Sequence, residues 1–309
     1  MWNPLLRAEV NKLASRVSTE WPEKLSESYV QERIEGLALK TVTQPVGQET
    51  WRCFEGLFTE LDLFQERKLC IAAVEGIGLI SDDAFRIGPF LMRRATRCQL
   101  DRIHALTKDA LGRTLHSSEE QTAIASCLNK DAEDGLLGSV LLELELTADA
   151  AKAHALFFEK AGTLMDLLQM STTIAEWCGS ARVGLRGHPH AGAYSAWILP
   201  INPGNFLQPN KRIGSVGELC LSDGNLFLMK RAGVMRLAEA LGRKATELES
   251  ALLRAAHWYA QATLQDHEGQ DILCLILCLE SALSFRLSSA RAIAESVALL
   301  VECVTQIAH

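Results

Sequence analysis

Val140-Leu141-Leu142-Glu143-Leu144-Glu145-Leu146 is the stretch on which the fold turns. Leu142, Leu144 and Leu146 alternate with Glu143 and Glu145, the period of a strand with one buried and one wet face. Asp149 stands where a helix N-cap belongs, and Ala153, Phe157, Ala161, Leu164 and Leu168 follow at helical spacing. The pattern predicts a strand and then a long amphipathic helix packed on its sheet, so the fold class is α+β.

Toward the N-terminus, Leu69 to Val74 is a short apolar run ended by Glu75-Gly76, which predicts a buried strand. Phe85, Ile87, Phe90 and Met92 flank Gly88-Pro89, which predicts a strand interrupted by a bulge or tight turn. Gln99 to Leu111 reads as a helix, and part of 116–138 as another. A second extended segment runs from Arg182 to Leu199, broken at Gly187-His188-Pro189-His190. These strands form a small mixed sheet. Ahead of them, Leu5, Leu6, Val10, Leu13 and Val17 keep a helical period, and helices follow near Tyr29–Leu39 and Glu49–Leu61.

Beyond it, residues 200–225 are rich in Pro, Gly and Asn, and only helical periods follow. The domains expected are therefore 1–64 (helical), 65–224 (α+β) and 225–309 (a helical bundle). One bundle helix lies near 246–264. Ile272 to Phe285 is apolar nearly all round in its first two turns, which places it centrally. Ser288 or Ser289 caps a third helix carrying Ile293, Val297, Leu300 and Val304.

Composition narrows the function. A chain of 309 residues suits two domains, and 48% hydrophobic residues is ordinary globular composition. A net charge of −7 argues against a nucleic-acid binder working by bulk charge, while leaving room for a local basic patch. The longest aliphatic run, Ile272 to Leu279, is far short of the roughly 20 residues that span a bilayer. Met1-Trp2-Asn3-Pro4 meets Arg7 and Glu9 at once, so no signal-peptide core is present. Nine cysteines, an odd number, read as reduced thiols. The expectation is a cytoplasmic protein with no membrane partner.

Most motif-borne chemistry is missing. Gly76-Ile77-Gly78 lacks the third glycine of a dinucleotide fingerprint, and there is no Gly-Lys-Ser/Thr cradle, His-Glu-x-x-His helix or Gly-x-Ser-x-Gly elbow. Cys274 and Cys278 sit one helical turn apart without a second ligand pair, so core packing is the better reading. His188 and His190 lie in a Gly-rich loop without an acidic neighbour, so neither metal nor cofactor is expected. A basic cluster remains: Arg93, Arg94, Arg97, Arg102, Lys108 and Arg113, against Asp101 and Asp109. Arg93, Arg94, Arg97 and Arg102 are the candidate phosphate-binding residues, weighed against a solvated helix face. Glu280 ends the apolar run. A carboxylate beside a bundle core needs a cation such as Arg254, Arg286 or Arg291, or else belongs to a site.

Leu253-Arg254-Ala255-Ala256-His257-Trp258-Tyr259-Ala260-Gln261-Ala262, an acidic loop, and Ile272-Leu273-Cys274-Leu275-Ile276-Leu277-Cys278-Leu279-Glu280-Ser281-Ala282-Leu283 resemble the first two helices of an ApeA-like HEPN domain. Ile293 to Leu300 is similar to its third helix, with Ser296 where an Arg is common. The Phe85–Gly88 strand leading to Arg93-Arg94, and the Val140–Leu146 strand with its helix, are similar to the region preceding that domain. The resemblance covers about residues 67–309 and implies an RNA-directed role, often in prokaryotic antiviral defence or toxin systems. Such ribonucleases are metal-independent: His is the general acid/base, Arg stabilises phosphorane charge, and the RNA 2′-hydroxyl attacks.

This sequence departs from the family at the catalytic helix. No Arg-Ser-x-x-x-His segment occurs between Arg291 and His309, so a truncated or non-catalytic member is expected and no catalytic residue is assigned. Glu280 carries over as a bundle-supporting position only. The leading expectation is an RNA-interacting protein. The rivals are a protein–protein dimerisation module and a small-molecule enzyme using the 182–199 region. A bundle lacking its last helix also predicts a homodimer through the Ile272–Phe285 and Ile293–Val304 faces, unless 226–245 folds back to cover them.

Overall fold

A computed structural model describes residues 4–41, 48–64, 66–80, 84–114, 117–174, 181–186, 196–200, 219–264 and 268–283. Three N-terminal helices, α1 (Pro4–Ser18), α2 (Glu27–Thr41) and α3 (Gln48–Asp62), share a small core of their own. Val10, Ala14, Val17, Val30, Ile34, Leu57 and Leu61 fill it, at the spacing that put them on one face of each helix.

The sheet follows. Its strands are β1 (Arg67–Glu75), then, after the short β2 (Ile77–Leu79), β3 (Phe85–Ile87) and β4 (Phe90–Arg94). Two helices intervene, α4 (Arg97–Thr114) and α5 (Ser118–Leu136), before β5 (Val140–Thr147) and the long α6 (Ala150–Ile174). β6 (Gly184–Leu185) and β7 (Ala196–Pro200) complete the sheet. The order is β3-β4-β5-β1-β6, with β7 also on the free edge of β1, and every pairing within it is antiparallel. The mixed sheet expected from sequence is corrected accordingly. The parallel pairing among the described residues lies apart, between β2 and β8 (Leu219–Leu221).

Both faces of the sheet are covered. Cys70, Ala72, Val74, Leu142 and Leu144 pack beneath Phe157, Ala161, Leu164 and Leu168 of α6. Leu69, Ile71, Ala73 and Leu141 point the other way, against Leu100 and Ile103 of α4 and Ala132 and Leu136 of α5. The wet face expected at Glu143 is therefore wrong: α4 crosses there, and Glu143 is 4% exposed. The alternation holds only at the outer end of β5, where Glu145 is exposed and pairs with Arg67.

Four more helices close the chain's described part: α7 (Asp223–Arg231), α8 (Val234–Ala240), α9 (Glu247–Leu264) and α10 (Glu268–Leu283). Met229, Val234, Ala238, Leu241 and Ala256 from the first three enter the same buried cluster as the α6 face of the sheet. One core thus runs across position 225, where a change of domain was expected. Residues 226–245 face this core instead of folding back over α10.

Gly88 locks this arrangement. Ile87 pairs with Phe90, so Gly88-Pro89 is a two-residue hairpin turn, with φ +55° at its first central position. A Cβ at Gly88 would lie 2.1 Å from the carbonyl oxygen of Ala238, so only glycine lets the hairpin touch α8.

Candidate functional site

The four candidate arginines come together at the β4–α4 junction, but with different duties. Arg93 on β4 is diagonal to Glu143 on β5, since Arg93 pairs with Leu141 and Leu91 with Glu143. Its Nε and Nη2 donate to the two carboxylate oxygens, each at 2.6 Å. Arg102 of α4 adds its Nη1 3.9 Å from Glu143 Oε2. Arg94 donates to the Leu79 carbonyl at 3.0 Å. Arg97 reaches Glu133 of α5 at 3.2 Å, with its side chain 69% exposed.

These contacts divide the cluster. Arg93 is a structural cation fixed to a buried carboxylate. Arg97 and Arg102 keep much of their surface in water; exposed pairs such as Arg97–Glu133 contribute only about 0–1 kcal/mol, and Arg102 stands 3.9 Å from a carboxylate already held by Arg93. A phosphate can displace such partners at little cost. Next to Arg97, between α4 and α5, a groove of about 510 Å³ is lined by Lys108, Gln121, Asn129, Lys130 and Glu133. A cationic edge therefore adjoins a groove carrying amide groups.

A second concavity, of about 770 Å³, lies between α6 and α9. Glu159, Thr163 and Asp166 share one face of α6, while Ser250, Arg254 and His257 share one face of α9. The groove continues past Asp166 and His257 into a smaller cavity lined by Gln169, Val183, Leu185 and Gln261. Gln169 is buried and fixes this end: it donates to the Ala181 carbonyl at 3.1 Å and accepts from Val183 N at 2.8 Å.

His257 Nδ1 lies 2.8 Å from Asp166 Oδ2. That bond raises the pKa of the imidazole, against the opposing effect of partial burial. The pairing also leaves Nε2 as the ring nitrogen not engaged by Asp166. Nothing in the sequence marks this pair: the residues are 91 positions apart, and although His257 lies in the distinctive 253–262 stretch, that stretch does not point to Asp166.

On α10 the structure departs from expectation. Instead of being central, the helix packs on α9 and leaves Ile272, Leu273, Leu275, Ile276 and Leu279 exposed. Glu280, expected beside a bundle core, is exposed as well. Cys274 is buried and Cys278 half-buried, which suits the packing role rather than ligation. Among the described residues no group of three His, Cys, Asp or Glu side chains is placed to hold a metal. No described helix is long and apolar enough to cross a membrane. His188, His190, Arg286, Arg291 and the third bundle helix expected after Ser288 lie outside the described residues.

No protein-family model, no curated protein and no solved structure matches the chain.

Proposed function

We propose that the chain is a HEPN-like RNA-interacting protein without ribonuclease chemistry of its own, which binds the RNA backbone along the β4–α4 edge. The observation that carries this reading is the division among the arginines: Arg93 is committed to Glu143, while Arg97 is held only by the exposed Glu133 beside the α4–α5 groove and Arg102, half in water, stays 3.9 Å from the Glu143 carboxylate that Arg93 already occupies. Phosphate contacts of this kind give affinity without sequence readout. The antiviral-defence or toxin setting rests on the resemblance of residues 253–283 to the HEPN helices. The test is binding of a labelled single-stranded RNA, with Arg97→Glu and Arg102→Glu combined. Loss of binding by a folded variant supports the reading, and undiminished binding overturns it.

A second reading is favoured by α10. Five exposed large apolar side chains on one short helix form the kind of surface that marks association. This reading is a homodimerising interaction module, non-catalytic and independent of RNA. Light scattering at micromolar concentration checks it: a dimeric mass reduced to monomer by Ile272→Asp with Ile276→Asp supports it, and a monomeric wild-type mass overturns it.

A further inference from the structure

The groove between α6 and α9 is unused by either reading, yet it is built as a small-molecule site. Its volume of about 770 Å³ falls within the roughly 300–1,000 Å³ usual for ligand pockets. Leu146, Leu156 and Leu253 give it an apolar wall. Its charges are mixed, but several are already spent. Arg243 is held by Glu249 at 2.5 and 2.8 Å, and Asp166 by His257. Lys160 donates to the Leu241 carbonyl at 2.8 Å, not to a carboxylate. Lys24, Lys160 and Arg254 then stand against Glu23 and Glu159, leaving an excess of positive charge.

Arg254 and His257 lie one helical turn apart on α9 and line the same cleft. Among the described residues Arg254 has no ion-pair partner. The Asp166 bond fixes the orientation of the His257 ring, so that Nε2–H remains to donate when the ring is protonated. Two cationic groups lining one cleft match the double charge of a phosphate monoester, whose three free oxygens can accept from both. A carboxylate brings only a single charge to the same two cations.

We propose that this groove binds a small phosphate monoester. Arg254 and the His257 imidazolium hold the phosphate, and the Leu146–Leu156–Leu253 wall holds the organic body. Asp166 is a positioning residue that keeps His257 oriented and charged. The site is separate from the β4–α4 edge, so its failure and that of the RNA reading are told apart by different variants.

The test is calorimetric titration of the full chain with phenyl phosphate, inorganic phosphate and benzoate. Saturable binding is expected for phenyl phosphate, and weaker binding for inorganic phosphate, which lacks the organic body, and for benzoate, which lacks the second charge. Arg254→Ala and His257→Ala each weaken phenyl phosphate by at least about tenfold, the loss of one charge-assisted contact. Affinity falls as pH rises through the pKa of His257, and Asp166→Asn moves that fall to lower pH. Arg97→Glu leaves binding unchanged. Absence of saturable phenyl phosphate binding overturns the proposal. So does benzoate binding equally well, Arg254→Ala or His257→Ala leaving affinity unchanged, or a pH profile unmoved in Asp166→Asn.

Discussion

Arg93 and Glu143 form a two-point ion pair between neighbouring strands, underneath α4, with the glutamate buried and the arginine side chain 18% exposed. The sequence places Glu143 in an alternating strand and Arg93 in a basic cluster, and the fold joins the two. A buried carboxylate is tolerable only with a cation that satisfies both oxygens.

Removal of Arg93 takes both close hydrogen bonds from Glu143 and leaves only Arg102, 3.9 Å away. Arg93→Ala is expected to destabilise the protein by about 3–5 kcal/mol, the usual cost of breaking a buried pair from one side. Arg97→Ala, whose partner is exposed, costs at most about 1 kcal/mol. Replacing both partners together, Arg93→Met with Glu143→Leu, restores much of the loss because no unpaired charge remains. Urea denaturation midpoints of the three variants decide the matter.

Two glycines with positive φ give a second comparison. At Gly88 a new Cβ meets the Ala238 carbonyl oxygen at 2.1 Å, whereas at Gly138, φ +77°, nothing lies within 4 Å. Gly138→Ala should therefore cost only the backbone term of about 1–2 kcal/mol. Gly88→Ala should cost distinctly more, since α8 must move off the hairpin. Thermal melting of the pair checks this, and equal losses would remove the claimed contact.

Stability should depend on pH through His257. Its folded pKa is raised above the ordinary 6.5 by the Asp166 bond. The contribution is thus fully present below that ordinary value and is lost as pH rises through the higher folded value. Wild-type protein should lose part of its denaturant resistance on going from pH 6 to pH 8, and Asp166→Asn should flatten that change. The cost falls on the α6–α9 contact, so amide exchange in α9 reports it most directly.

What the sequence displayed depended on range. Asp149 was legible as an N-cap, and it does accept from Ala151 N and Lys152 N at 3.0 and 3.2 Å. Its second duty was not: the same carboxylate also takes the Ser26 hydroxyl at 2.9 Å, fastening the start of α2 to the start of α6. The strands at Leu69–Val74 and Val140–Leu146 were legible because a buried strand writes its period into adjacent residues. The burial of Glu143 was invisible, because the helix that covers it is far off in the chain.

The same reason explains α10 and the groove. The apolar run from Ile272 to Leu279 says that these side chains favour a partner, but not which element supplies one. In the fold α7 and α8 cover the sheet, and α10 keeps only α9 among the described elements that pack substantially against it. Asp166 and His257 each look like an ordinary polar residue on an amphipathic helix. Only the packing of α6 on α9 brings them to 2.8 Å.

RNA binding by an acidic chain through a local cationic edge, as proposed above, is read most sharply from its salt dependence. The affinity for single-stranded RNA, followed by fluorescence anisotropy, should fall linearly on logarithmic axes, by about 0.7 per phosphate contact. Two contacts, by Arg97 and Arg102, predict a slope of about −1.4, and Arg97→Ala with Arg102→Ala should remove most of it. No binding at low salt by the folded protein, or a slope unchanged in that double variant, would contradict the account.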